Sequence, residues 1–202
     1  MLDRSSRSAG PRGSVLGPRF FGRDTLKVAR DLLGKVLVRE VRGQLRWGRL
    51  VEVEAYLGPE DLAAHSARGR RTPRTEVMYG APGHAYVYFV YGMHHCLNIV
   101  TGPVGSPHAV LVRAMEPGAG VDRANGPAVL CRALEIDRSL NGIALEPPTL
   151  YLVDDGAPAR RVFAKPRIGV DYAGEWAQRP WRFCWDSPSL SRPLGPSGRS
   201  RR

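Results

Sequence analysis

Residues 51–56, Val-Glu-Val-Glu-Ala-Tyr, alternate apolar and polar side chains with the period of a β-strand. Successive side chains of a strand point to opposite faces, so Glu52, Glu54 and Tyr56 share one face and Val51, Val53 and Ala55 pack behind them. Such a strand needs an apolar core on one side and a polar, partnered surface on the other. An acidic row is also out of keeping with a chain of formal charge +11, and it suggests a reacting centre served by an anionic partner bound elsewhere.

At 202 residues and 43% apolar content, the chain suits one globular domain with a substantial core. No apolar run is long enough to span a bilayer, and the basic start has no apolar segment behind it, so cytoplasmic residence is expected, on the nucleoid if the source is bacterial. Cys96, Cys131 and Cys184 lack any Cys-x-x-Cys spacing, which argues for buried thiols rather than disulfides or a zinc site. Only Lys27, Lys35 and Lys165 among the 30 basic residues are lysines. The pI near 10.3 points to a polyanionic partner, nucleic acid ahead of an acidic membrane surface. Residues 1–17 and 187–202 are rich in Ser, Gly, Pro and Arg and are expected to be disordered basic ends, leaving one domain over 18–186.

Within that domain Asp24 is positioned to cap a helix over 25–33, stopped by Gly34. Strands are predicted over 35–41 and 45–56, flanking a hairpin turn, and over 109–114 and 182–185. Pro127 opens a helix through 134. The polar stretch 58–83, with Arg68, Arg70, Arg71 and Arg74, is too long to be idle unless it binds something or folds locally. Residues 86–91 and 94–100 form a second hairpin, with Tyr86, Tyr88 and Val90 on one face of its first strand and Cys96, Asn98 and Val100 together on its second. Alternating aromatics can mean only a well-packed sheet. Tyr91-Gly-Met93 at the tip differs, because large apolar side chains at an exposed turn suit insertion into a partner, as a wedge between stacked bases does. Antiparallel strands with few helices give an α+β fold.

Val51-Glu-Val-Glu-Ala-Tyr-Leu-Gly-Pro-Glu-Asp-Leu-Ala-Ala-His-Ser66, Arg74, Pro82-Gly-His-Ala-Tyr-Val-Tyr-Phe-Val-Tyr-Gly-Met93, Asn98, Val110-Leu-Val-Arg-Ala114, Gly126-Pro127 and Gly174-Glu-Trp176 occur in this order. Together they resemble the alkyladenine (methylpurine, 3-methyladenine) DNA glycosylase family, and the likeness runs from about Arg19 to Phe183. It implies a single compact domain with a curved antiparallel sheet, surrounding helices and a protruding hairpin. The implied activity is removal of alkylated or deaminated purines from double-stranded DNA by a monomeric enzyme without metal or organic cofactor.

By that resemblance Glu54 holds and deprotonates the water that attacks the deoxyribose carbon, and Arg113 lies on the pocket floor and helps to bind that water. Tyr56 stacks on one face of the everted purine and His65 and Tyr88 cover the other, while Asn98 clashes with the 2-amino group of normal guanine. Tyr91, with Met93 beside it, enters the stack at the vacated place. Electron-rich rings favour a cationic alkylated purine by about 0.5–2 kcal/mol per contact. Glu52 could instead be the catalytic carboxylate or could orient an arginine. His94 and His95 have no third metal ligand nearby in sequence, and no lysine sits in a motif for a Schiff-base lyase. A carbohydrate glycosidase would place its carboxylates across a sugar, whereas Glu52 and Glu54 lie about 7 Å apart along one face. Two departures stand out: residues 118–125 are shorter and less basic than in the family, and His94-His95 replaces positions that are often aromatic or apolar.

Overall fold

The computed structural model describes residues 10–191. After β1 (Ser14–Val15) and the single turn α1 (Pro18–Phe21), Asp24 caps α2 (Thr25–Leu32) by accepting a hydrogen bond from the Lys27 amide at 3.0 Å. Gly34, at φ +86°, then turns the chain into β2 (Val36–Val41), and Arg42-Gly43 leads into the long strand β3 (Gln44–Tyr56). β4 (Ala85–Val90) and β5 (His94–Thr101) form the second hairpin, followed by β6 (His108–Pro117) and α3 (Pro127–Ala133). β7 (Leu150–Asp154), β8 (Val162–Lys165) and β9 (Arg182–Trp185) complete the strands.

All pairings are antiparallel, in the order β1-β7-β2-β3-β6-β5-β4, and the sheet is open. β3 is long enough to exchange partners on one side: β2 pairs with it from Gln44 to Arg49, and β9, joined by β8, from Glu52 to Glu54. This exchange sets the two glutamates between β6 and β9. Behind them Val51, Val53 and Ala55 are fully buried against Val28, Ala29 and Leu32 of α2 and Leu130 of α3 in the main core. Each buried Val or Leu side chain contributes roughly 1.5–3 kcal/mol. The α+β class and the alternation along β3 are as expected from sequence.

The stretch 58–83 folds locally into three short 3-10 turns, Gly58–Glu60, Ala67–Gly69 and Glu76–Tyr79. The composition of the two ends misleads for their inner portions. Ser14 and Val15 pair with Asp154 and Val153, and Ser187 to Ser191 fold back against β3, because backbone and carboxylate partners there satisfy polar groups that the local sequence alone cannot. Residues 1–9 and 192–202 lie outside the described region. β1, β7 and β8 are short edge or peripheral strands that local periodicity does not reveal. Among the described residues no helix is long and apolar enough to cross a membrane, and all three cysteines are buried.

Candidate active site

Leu50 pairs with Met115, Glu52 with Ala114 and Val53 with Val112, a broken register that leaves Arg113 outside the β3–β6 ladder. Its guanidinium lies between the two acids, Nε donating to Glu52 Oε1 and Nη1 to Glu54 Oε2, each at 3.2 Å. Both carboxylates are fully buried. Burial works against the charge on Arg113, but Glu54 and Glu52 outweigh it and raise the guanidinium pKa further, so the arginine stays charged.

The two glutamates differ in how completely they are held. Glu52 accepts from Arg113, from Arg182 Nη1 at 3.1 Å, and from both the Oγ and the amide of Ser191 at 2.7 Å. Glu54 accepts from the Tyr56 hydroxyl at 2.9 Å and Arg113 on Oε2, and from the Ile168 amide at 2.8 Å on Oε1. Glu52 therefore receives four hydrogen bonds, two of them from arginines, whereas Glu54 receives three and shares one arginine; each keeps lone-pair capacity on one oxygen, Oε2 of Glu52 and Oε1 of Glu54. Burial first, then the charge of Glu54, holds the Tyr56 phenol far above the usual tyrosine value, so it donates its proton to that carboxylate.

In front of this network is a cavity of about 710 Å³ lined by Tyr56, His65, Tyr88, Asn98, Arg113 and Ile168 among others. Glu54 is one layer behind the lining and reaches it through Tyr56, Arg113 and Ile168. His65, from the 58–83 stretch, meets Tyr88 edge-on with ring centroids 4.6 Å apart and shares a 2.9 Å hydrogen bond between Nδ1 and the Tyr86 hydroxyl. Asn98, directly across the hairpin from Tyr86, donates Nδ2 to the Tyr86 carbonyl at 3.2 Å, which fixes the amide within the wall.

The hairpin tip stands at the mouth. Tyr91 and Met93 are 83% and 68% exposed, and Tyr91 adopts φ +52°, a left-handed conformation unusual for a bulky residue. His94 lines the mouth and His95 stacks on Phe89 at 4.9 Å. The short segment 118–125 still reaches the cavity, through Arg123 and Asn125, whose side chains are hydrogen-bonded at 2.6 Å.

Burial, with Arg74 and Arg70 adding to it, lowers the His65 imidazole to about 4, so it is neutral at working pH. As pH falls below the unfolded value near 6.5, the unfolded chain takes up a proton that the folded chain refuses. Stability is then lost progressively from about pH 6.5 to about 4, on the order of 2–3 kcal/mol for this partly exposed ring, and no further below that. The expected result is that His65→Gln flattens the pH dependence of urea-denaturation midpoints across this window. An unchanged slope would assign the acid sensitivity to another group.

Several members of the site carry no local signal. Arg167 and Asp61 form a fully buried, two-pronged ion pair behind Tyr56, with the guanidinium carbon 4.7 Å from the Tyr56 ring centre. Asp61 lies within the Gly-Pro-Glu-Asp run of the motif, which was its only signal; Arg167, Ile168 and Ser191 had none.

The methylpurine-DNA glycosylase family model matches residues 19–188. A protein of Desulfitobacterium hafniense named "Putative 3-methyladenine DNA glycosylase" is 49% identical over 189 residues, covering 83% of this chain and 93% of its own. Proteins of the same name from Bacillus cereus and Bacillus anthracis are 47% and 48% identical over 200 residues, covering 87% of this chain and 98% of theirs.

Proposed function

This chain belongs to the methylpurine-DNA glycosylase family, and on that premise we propose that it everts alkylated or deaminated purines from double-stranded DNA and hydrolyses the bond between base and sugar. The observation that carries the reading is Glu54, held by Tyr56, Arg113 and Ile168 immediately behind an aromatic cavity whose mouth bears an exposed hairpin tip.

Glu54 accepts a proton from water as its oxygen bonds to C1′, while the C1′–N bond breaks and its electron pair leaves with the base. A purine alkylated at a ring nitrogen is already cationic and departs neutral. The buried carboxylate also stabilises the positive charge that develops on the sugar. Glu52, held by two arginines and by both the amide and the hydroxyl of Ser191, orients Arg113 rather than acting as the base. Among the described residues no lysine lines the cavity, and Lys35 is paired with Asp154 at 2.7 Å, which supports water as the nucleophile and an abasic site as the product.

Tyr56, His65 and Tyr88 enclose the everted base, and a neutral His65 adds no cation to repel an alkylated purine. Tyr91 and Met93 fill the vacated place in the stack. Purified protein incubated with duplexes carrying 3-methyladenine, 7-methylguanine, hypoxanthine or ethenoadenine, followed by alkaline cleavage, tests the reading directly. Strand scission at none of these lesions would reject it.

Asn98 supplies a finer test. Its amide is pinned to the Tyr86 carbonyl and cannot swing aside for a 2-amino group. Asn98→Ala is expected to raise single-turnover excision of 7-methylguanine relative to hypoxanthine by about tenfold. An unaltered ratio would move the discriminating group elsewhere in the wall.

A further inference from the structure

Large apolar side chains left in solvent are informative when they cluster at a functional opening. Among the described residues the four most exposed are Tyr91 at 83%, Tyr172 at 72%, Val104 at 71% and Met93 at 68%. Tyr91 and Tyr172 both line the mouth of the aromatic cavity, although they come from unrelated segments. Tyr91 and Met93 belong to the hairpin already described; Tyr172 has no role in the reaction outlined above.

Its ring is exposed but not loose. The Tyr172 hydroxyl donates to the Ala63 carbonyl at 3.2 Å, and the neighbouring Val170 and Ala173 are buried with Ala63 and Ala177. The same stretch begins at Arg167, behind Tyr56, and includes Ile168, whose amide holds Glu54. Burial raises the Tyr172 phenol above the ordinary tyrosine value against the opposing pull of Arg167, with Asp61 and the Tyr91 phenol near enough to add to the rise. A rigid ring whose polar atom is already engaged, and whose faces are in water, is preorganised for stacking and does little for the core it touches.

Resting on the glycosylase reading, we infer that Tyr172 is a second aromatic contact to DNA, stacking on the damaged strand at the nucleotide next to the everted one. Tyr91 fills the gap in the duplex while Tyr172, from a separate segment of the same rim, receives the strand beside it. Eversion exposes the neighbouring base and sugar to the rim, whereas in an intact duplex both are covered by their own stack. The contact is therefore made chiefly with distorted DNA and adds to selection of the everted state.

The test compares Tyr172→Ala and Tyr172→Phe with wild type by equilibrium binding to a duplex holding a tetrahydrofuran abasic analogue and to the same duplex undamaged. Alanine is expected to weaken binding to the analogue duplex about tenfold, in line with the loss of one stacked ring, and binding to undamaged duplex less than about twofold. Phenylalanine, which keeps the ring and loses only the tether to Ala63, should stay within about threefold of wild type on both. Because the residue is exposed, both variants should unfold within about 2 °C of wild type. The inference is overturned by an unchanged affinity of the alanine variant, by an equal loss on both duplexes, by a phenylalanine variant as weak as alanine, or by a clear drop in thermal midpoint that marks the ring as a structural lid. Failure of the glycosylase reading looks different: wild type itself would release no base from any lesion duplex, while the binding comparison would still decide the fate of Tyr172.

Discussion

Glu54→Gln is expected to lower single-turnover excision about a thousandfold or more while leaving binding to an abasic-analogue duplex within a few-fold of wild type. The substitution keeps the shape and removes the charge. Its amide oxygen can still accept from the Ile168 amide, and the Tyr56 hydroxyl can turn to accept from the new NH₂ group. Arg113 then faces a donor at that end but keeps Glu52 at the other, so the fold should survive with a loss of about 1–3 kcal/mol. What disappears is the proton acceptor and the negative charge beneath the reacting sugar. Near-normal cleavage by this variant would assign the base to Glu52 or to another group. A wild-type protein that binds lesion duplexes without ever cleaving them would instead make the chain a binding module, and the variant would then change nothing measurable.

The features of the site that can be read along the chain are those set by the two-residue period of strands. Glu52, Glu54 and Tyr56 on β3, Tyr88 on β4 and Asn98 on β5 occupy the faces that simple alternation assigns them, because β9 pairs with Glu52–Glu54 and β4 with β5 in unbroken register, although the β3–β6 register shifts on both sides of Glu52. His65 is different, since it comes from irregular chain and only the resemblance to a known family singled it out. Ser191, Ile168 and Arg167 were invisible for a physical reason: each is fixed by one to three hydrogen bonds to groups more than a hundred residues away, and such contacts leave no periodic trace. The C-terminal Ser-Pro-Ser-Leu-Ser run, whose composition suggests a loose tail, illustrates the point most sharply. Its Ser191 supplies two of the four hydrogen bonds that engage Glu52, and so helps to fix the carboxylate that holds Arg113.

Breaking the ion pair between Asp61 and Arg167 is expected to have the largest effect on stability. Neither side chain is exposed, and both are committed beyond each other. Asp61 accepts from the amides of Leu57 and Ala63 at 3.1 and 3.0 Å, and Arg167 donates to the carbonyls of Ala55 and Trp176 at 2.9 and 3.0 Å. The pair therefore joins the end of β3, the first turn after it and the segment that carries Ile168. Arg167→Met leaves a buried carboxylate without its cation and Asp61→Asn leaves a buried guanidinium without its anion, and each should cost about 3–5 kcal/mol in urea denaturation. The double variant removes both charges and should recover much of that loss, since two neutral groups need no counter-ion. Activity should not return with it. The Met side chain cannot hold the Ala55 and Trp176 carbonyls or support the back of Tyr56, so Tyr56 and the Ile168 amide lose their fixed positions around Glu54. Stability restored with excision still at least tenfold below wild type is the outcome expected of a unit that positions the reacting groups. If excision recovers in step with stability, the pair acts on the fold alone.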